Sequence, residues 1–353
     1  MTLPNDVNQS ISIAVIEILK SRFDKFPSDY TTNRNAPFHE AFLSAFRDKM
    51  AVSKTDPTLL VSLSSWLHGL NTTLGQSFFE RVANILCGGE KKEWTSKKDG
   101  NLQISHKQKE IINTICTELS NSSCVPCKNR EEKLINEASS GELVNALDFS
   151  ADVLFVDEDE TINAIELKSV KPNSGELRGE KQKILEGRTA LNHLYKGKRV
   201  NFFIGFPFDP TVTEEEDACS YNKNRFLSKI IGGDKFFDSD EILIASELWD
   251  YLSGQPNTMQ SIIELINNIA TTEFERKFEQ LYRYEFPSFD AKMHLLEEWK
   301  LYDELKIQKN NAKLRKQCAN FRREMNYLDQ GCFDSKGKYK TERVKTLLAR
   351  IGE

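Results

Sequence analysis

The chain has 353 residues, 29% charged and 39% hydrophobic, with a formal net charge of −5, enough apolar content for one large core or two ordinary ones. No apolar run approaches the ~20 residues of a membrane helix, and the opening MTLPNDVNQS has neither the basic start nor the apolar stretch of a secretory signal. Seven cysteines, an odd number, fit a reducing, cytoplasmic setting better than a disulfide framework.

The first sixty residues read as helical. SISIAVIEILKSRF and FHEAFLSAFRDKM both place apolar residues three and four apart, with the loop-like FPSDYTTNRNAP between them. A longer helical pattern, TLLVSLSSWLHGLNTTLGQSFFERVANILCGG, is expected to break near Asn71–Thr73 and to stop at Gly88-Gly89. EKKEWTSKKDGNLQIS reads as a polar insertion and KQKEIINTICTEL as a helix. SNSSCVPCKN is a loop, and REEKLINEASSG a short helix ending at Gly141.

From there the period changes. ELVNALDF, DVLFV, TINAIELKSV and RVNFFIGFPF are short runs rich in Val, Ile and Phe, which is strand chemistry. DEDE turns the chain between the second and third runs. Between the third and fourth, Ile184, Leu185, Ala190, Leu191 and Leu194 form one helical stripe. After residue 240 the pattern is again helical. The division expected is an N-terminal helical region over 1–60, a core over 61–240 and a basic helical region over 241–353. Residues 306–350 hold thirteen Lys and Arg against four Asp and Glu, a local +9 that leaves −14 for the rest. A basic tail on an acidic body suggests a polyanionic partner.

The stretch DFSADVLFVDEDETINAIELKSVKPNSG carries charges inside otherwise apolar runs. Glu166 and Lys168 are two apart and leave one face of a strand, while Leu167 points the other way. An antiparallel hairpin turning at 157–161 sets the start of one strand beside the end of the next, so Asp152 falls near Glu166. Two carboxylates joined by a backbone carbonyl make an oxygen-ligand site for Mg²⁺. A lysine beside them can orient or help deprotonate an attacking water and steady a phosphate. On spacing alone the same pattern also fits the solvated face of an antiparallel sheet. The polar, glycine-containing KSVKPNSGELRGEKQK directly after the lysine has the look of a loop delivered to a ligand.

Asp152 followed fourteen residues later by Glu166-Leu167-Lys168 resembles the PD-(D/E)xK nuclease superfamily, type II restriction endonucleases above all. LNTTLGQSFFERVANIL and ELKSVKPNSGELRGEKQKILEGRTAL resemble one subgroup, the TdeIII-like enzymes that cut GGNCC-type sites. The likeness covers residues 61–210 well and the ends poorly. It implies a restriction-endonuclease-like α/β core, a mixed β-sheet flanked by helices, with helical N- and C-terminal regions. It implies Mg²⁺-dependent hydrolysis of double-stranded DNA at a short palindrome by a prokaryotic homodimer, with a companion DNA methyltransferase. Asp152, Glu166, the Leu167 carbonyl and Glu80 would hold the metal, and Lys168 would act at the nucleophilic water. Ala151 stands where the motif's name has proline, and Asp148 is a rival for the aspartate role.

Lys171, Asn173, Arg178, Lys181, Lys183 and Arg188 would face DNA, where neutralising phosphates supplies most non-specific affinity. Cys124 and Cys127 form a single C-x-x-C without the second ligand pair that a structural zinc needs; Cys116 and His106 are irregularly spaced. The five histidines (His39, His68, His106, His193, His294) are scattered, and no phosphate-loop or dinucleotide fingerprint is present. Two other readings stay open: a structure-selective or repair nuclease of the same fold, and a non-catalytic DNA-binding protein.

Overall fold

INAIEL, residues 162–167, is buried along almost its whole length, as a strand must be when helices cover both faces of its sheet. The computed structural model describes residues 3–26, 57–168, 174–230 and 232–352, and contact density divides the chain into two units. The expected helix over 38–50 lies outside the described residues.

The unit formed by Phe79–Ile262, with Leu3, contains the sheet. Its strands are β1 (Glu90–Trp94), β4 (Phe149–Val156), β5 (Ile162–Leu167), β6 (Val200–Phe206) and β7 (Ile242–Ile244), in the spatial order β1-β4-β5-β6-β7. The first two pairings are antiparallel and the last two parallel. A separate antiparallel pair joins β2 (Gln103–Ser105) to β3 (Leu143–Asn145). The helices used below are α1 (Phe79–Cys87), α2 (His106–Ser120), α3 (Lys128–Glu137), α4 (Ser174–Leu194) and α5 (Ser246–Ser253). This is the expected mixed α/β core. Helix α4 is the crossover that parallel β5 and β6 require.

One position decides how closely α4 lies on the sheet. A Cβ on Gly187 would stand 2.6 Å from Phe202 and 3.0 Å from Phe149, so only glycine admits this approach. Gly187→Ala should therefore destabilise the fold by about 1–3 kcal/mol through overpacking, outweighing the ~1 kcal/mol that alanine gains in helix propensity. A lower thermal midpoint is expected; an unchanged or raised one would show that the helix has room. Opposite this face, Gly205 lies against Ile165, Leu167 and Leu248 of α5. Ser105 and Gln108 form a reciprocal capping box that starts α2.

Several elements differ from the sequence reading. The polar insertion contains β1, whose Glu90, Lys91, Lys92 and Glu93 suit a solvated edge strand; only Trp94 is buried. ELVNALDF is no single strand: β3 joins β2, and β4 begins at Phe149. Ile242–Ile244 forms a strand within the stretch read as helical, because a short apolar run lacks the length that separates strand from helix. The break expected near Asn71–Thr73 is a π-helical turn at Leu74–Phe78. The stop at Gly88 is a left-handed residue, φ +63°.

The second unit, Pro4–Phe78 with Ile263–Glu353, is helical where described, from Asn5–Phe23 to Thr341–Ile351. Ile307, Leu314, Cys318, Leu328, Val344 and Leu347 form one of its cores. Beside them Arg343 donates both guanidinium ends to Glu304, at 2.6 and 3.0 Å, with both side chains almost wholly enclosed. No helix among the described residues is long and apolar enough to cross a membrane.

Candidate active site

The β4–β5 hairpin pairs Val153 with Ile165, which sets Asp152 opposite Glu166 at the next rung. Leu167 donates its backbone N–H to Asp152 Oδ2 at 3.0 Å, tying the aspartate to the end of β5. Lys168 follows the strand directly, its N–H still bonded to Gly205 of β6 at 2.8 Å. Asp152, Glu166, Leu167 and Lys168 thus come together at one end of the sheet. Asp148, the rival aspartate, is exposed and accepts a hydrogen bond from Asn101 instead.

Helix α1 brings Glu80 to the same place. Lys91 of β1 donates to Glu80 Oε2 at 2.9 Å and to Asp152 Oδ1 at 3.0 Å. Asn84, one turn on from Glu80, donates to the Glu80 and Asp152 carbonyls at 2.9 and 3.0 Å. The β1–β4 register slips between Glu90 and Lys92, which pair with Leu154 and Ala151. Asp152 and Val153 therefore stand opposite the single residue Lys91. Such bulges disrupt the ladder locally, and this one falls where Lys91 meets Asp152.

Helix α4 closes the other side. Lys183 is 2.7 Å from Glu166 Oε1. Lys168 lies 2.8 Å from Glu180, 3.5 Å from Glu166 and 3.9 Å from Glu176. Glu176, Glu180 and Lys183 are three and four apart, a polar stripe along α4. The sequence reading takes the apolar stripe and the basic residues of this helix and misses Glu176 and Glu180. Lys91 carries no signal, and Asn84, though inside the stretch LNTTLGQSFFERVANIL, is not singled out within it.

The electrostatics follow from this crowding. Burial pushes the Glu166 carboxyl above the usual carboxylate range; Lys183 pulls it down and Asp152 adds to the rise. For Lys168, burial disfavours the charge, but Glu180, Glu166 and Glu176 together outweigh it and hold the pKa above normal. The carboxylates around Lys168 thus favour its charged ammonium. Counting each group as ionised, the linked carboxylates Glu80, Asp152, Glu166, Glu176 and Glu180 outnumber the ammoniums Lys91, Lys168 and Lys183 by two.

A hard divalent cation binds oxygen donors. Glu166 is 7% exposed, and its Oε2 is buried without a hydrogen-bond partner. That orphaned oxygen, the acidic surplus and the all-oxygen donor set fit such an ion. As the side chains lie, no three of His, Cys, Asp or Glu among the described residues are grouped to hold a metal; Lys91 and Lys183 pair with the carboxylates.

The residues expected to face DNA separate. Lys183 lines the acidic site. Arg178 is exposed and donates to Ser120 at 3.1 Å. Lys181 is not available to DNA: it is fully enclosed, 2.6 Å from both Glu131 and Glu241. Arg188, 4% exposed, pairs with Glu132 at 2.6 Å. Helical periodicity explains the split, since 181 and 188 lie two turns apart on the buried face. Lys171 and Asn173 lie outside the described residues. Cys124 and Cys127 are half-buried free thiols in the loop before α3.

A mixed sheet with helical crossovers between its parallel strands, carrying an acidic cluster and a lysine at its strand ends, defines a restriction-endonuclease-like core. A family model described as "Type II restriction endonuclease, HinfI" matches residues 3–270. The chain is also 40% identical to the Type II restriction enzyme MjaII of Methanocaldococcus jannaschii, over 99% of this chain and 98% of that protein. The chain belongs to the HinfI family of type II restriction endonucleases. It is accordingly a DNA-hydrolysing enzyme, which displaces the repair-nuclease and binding-only readings.

Proposed function

We propose that this restriction endonuclease works as a PD-(D/E)xK enzyme that uses Mg²⁺ at the acidic end of its sheet. Asp152, Glu166, the Leu167 carbonyl and Glu80 would hold the ion, and Lys168 would stand at the attacking water. The buried, unpartnered Oε2 of Glu166 inside a doubly acidic cluster is the observation that carries this reading. A divalent ion, when bound, supplies Lewis acidity to the phosphate and lowers the pKa of a water. The chain's own part is positional. The Leu167 N–H fixes Asp152. Glu180 anchors the Lys168 ammonium, leaving it to donate towards a water or a phosphate oxygen. Lys183 and Arg178, with Lys171 and Asn173 of the segment after Lys168, would neutralise backbone phosphates, aided by the basic region within 241–353.

A palindromic target matches a symmetric homodimer, and a companion methyltransferase would protect the host's own sites. A GGNCC-type target is the finer expectation. Digestion of a plasmid of known sequence with Mg²⁺ should give discrete fragments whose mapped ends define the site, and EDTA should abolish them. Equal cleavage in EDTA would overturn the metal reading. Ends that share no GGNCC sequence would overturn the finer one.

A further inference from the structure

Lys91 bridges two of the carboxylates read above as metal ligands. Its Nζ is 2.9 Å from Glu80 Oε2 and 3.0 Å from Asp152 Oδ1, oxygens delivered by a helix and a strand to one point. Mg²⁺ would draw the same donors to about 2.1 Å. The other basic residues of this stretch pair elsewhere: Lys92 is 3.6 Å from Asp99 and Lys98 is 2.8 Å from Glu93. Lys91 therefore balances the two carboxylates, which would otherwise repel at close range. It is also built to leave. Its side chain is 40% exposed, exposed ion pairs hold weakly, and four carbons of flexible stem let the ammonium swing into water.

We propose that Lys91 is a stand-in cation: it holds Glu80 and Asp152 on one ammonium before a metal binds, and it must give up that place for the ion to enter. Lys91 is thus a positioning residue that sets metal affinity from outside the ligand set. The inference rests on reading Glu80 and Asp152 as metal ligands. It differs from a structural ion pair in sign. Losing a structural partner loosens the ligands and weakens metal binding, whereas losing a competitor strengthens it.

The full-length protein and its Lys91→Met, Lys91→Arg and Asp152→Asn variants would be titrated with Ca²⁺ and with Mg²⁺ by calorimetry, without DNA and at fixed ionic strength. Lys91→Met should bind both ions about tenfold or more tightly than the wild type, the scale of removing one charge beside a divalent ion. Lys91→Arg, which keeps the charge, should stay near the wild type. Unchanged or weaker binding by Lys91→Met would overturn the proposal. Should Lys91→Met not fold in EDTA, Lys91→Gln puts the same question of sign with a polar side chain. The two readings fail separately. If Asp152→Asn loses metal and Lys91→Met gains none, only the stand-in role falls. If Asp152→Asn binds as the wild type does, or if no variant binds metal, the ligand assignment falls and takes the proposal with it.

Discussion

Asp152→Asn and Glu166→Gln are each expected to slow DNA cleavage by about three orders of magnitude or more, with DNA binding retained. Each substitution keeps the shape of the side chain and removes one negative charge. Asparagine at 152 can still accept the Leu167 N–H through its amide oxygen, so the hairpin end stays in place. What it loses is the charge that balances Lys91 and would hold a cation. Glutamine at 166 leaves Lys183 with Glu180 at 3.9 Å, and Lys168 with Glu180 at 2.8 Å and Glu176 at 3.9 Å, and removes the carboxylate whose second oxygen has no partner. Neither change takes a cation away from the DNA, and each removes an anion beside it, so affinity should hold or rise. Single-turnover cleavage and fluorescence anisotropy, measured on the same samples, separate the two effects. Cleavage within about tenfold of the wild type for either variant would place the chemistry elsewhere.

The largest expected effect on stability falls at Lys181. Its ammonium joins Glu131 and Glu241, both nearly or wholly enclosed, and it lies 5.6 Å from the Phe237 ring. Lys181→Met would leave two buried carboxylates facing each other without a cation, a change that costs about 3–5 kcal/mol. The thermal midpoint should fall by many degrees, while the DNA affinity of the folded fraction stays the same because the ammonium never meets solvent.

The pH dependence has a definite sign. Burial raises the Glu131 carboxyl above its ordinary value, against the pull of Lys181. An acid whose folded pKa is raised takes up a proton on folding. Its favourable contribution is present at low pH and is lost as pH rises through the folded value. Removing Lys181 raises that value further, so the gap between variant and wild type should widen from acid pH towards neutrality. An undiminished midpoint, or a selective loss of DNA affinity, would return Lys181 to the DNA-contacting set.

How far the sequence could be read depended on the distance over which each feature is determined. The hairpin was legible because it is local. Two short apolar runs around DEDE specify two antiparallel strands, and antiparallel pairing alone sets Asp152 opposite Glu166. The helix after Lys168 was legible from its apolar stripe. Strands β1 and β7 were not, because an edge strand can be wholly charged and three buried residues have no measurable period. The six residues expected at DNA share a stretch, and five of them a positive charge, and neither property says which way a helix faces. Only tertiary packing decides it: Glu131 and Glu132 of α3, with Glu241, receive Lys181 and Arg188, while Lys183 faces Glu166 of the sheet.

By itself, then, the sequence determined the chemical alphabet of this protein: the acidic hairpin, the lysine after it, the basic C-terminal region and the α/β order around them. Each follows from local periodicity or from composition, which depend on neighbouring residues alone. Only the tertiary structure decided which charges meet. Glu80, Lys91, Asp152, Glu166, Glu176, Glu180 and Lys183 come from two helices and three strands, and a few ångströms of packing set whether an ammonium faces solvent, a buried carboxylate or a cluster of acids. Coulomb interactions depend on distance in space, and the order of residues along the chain does not record that distance.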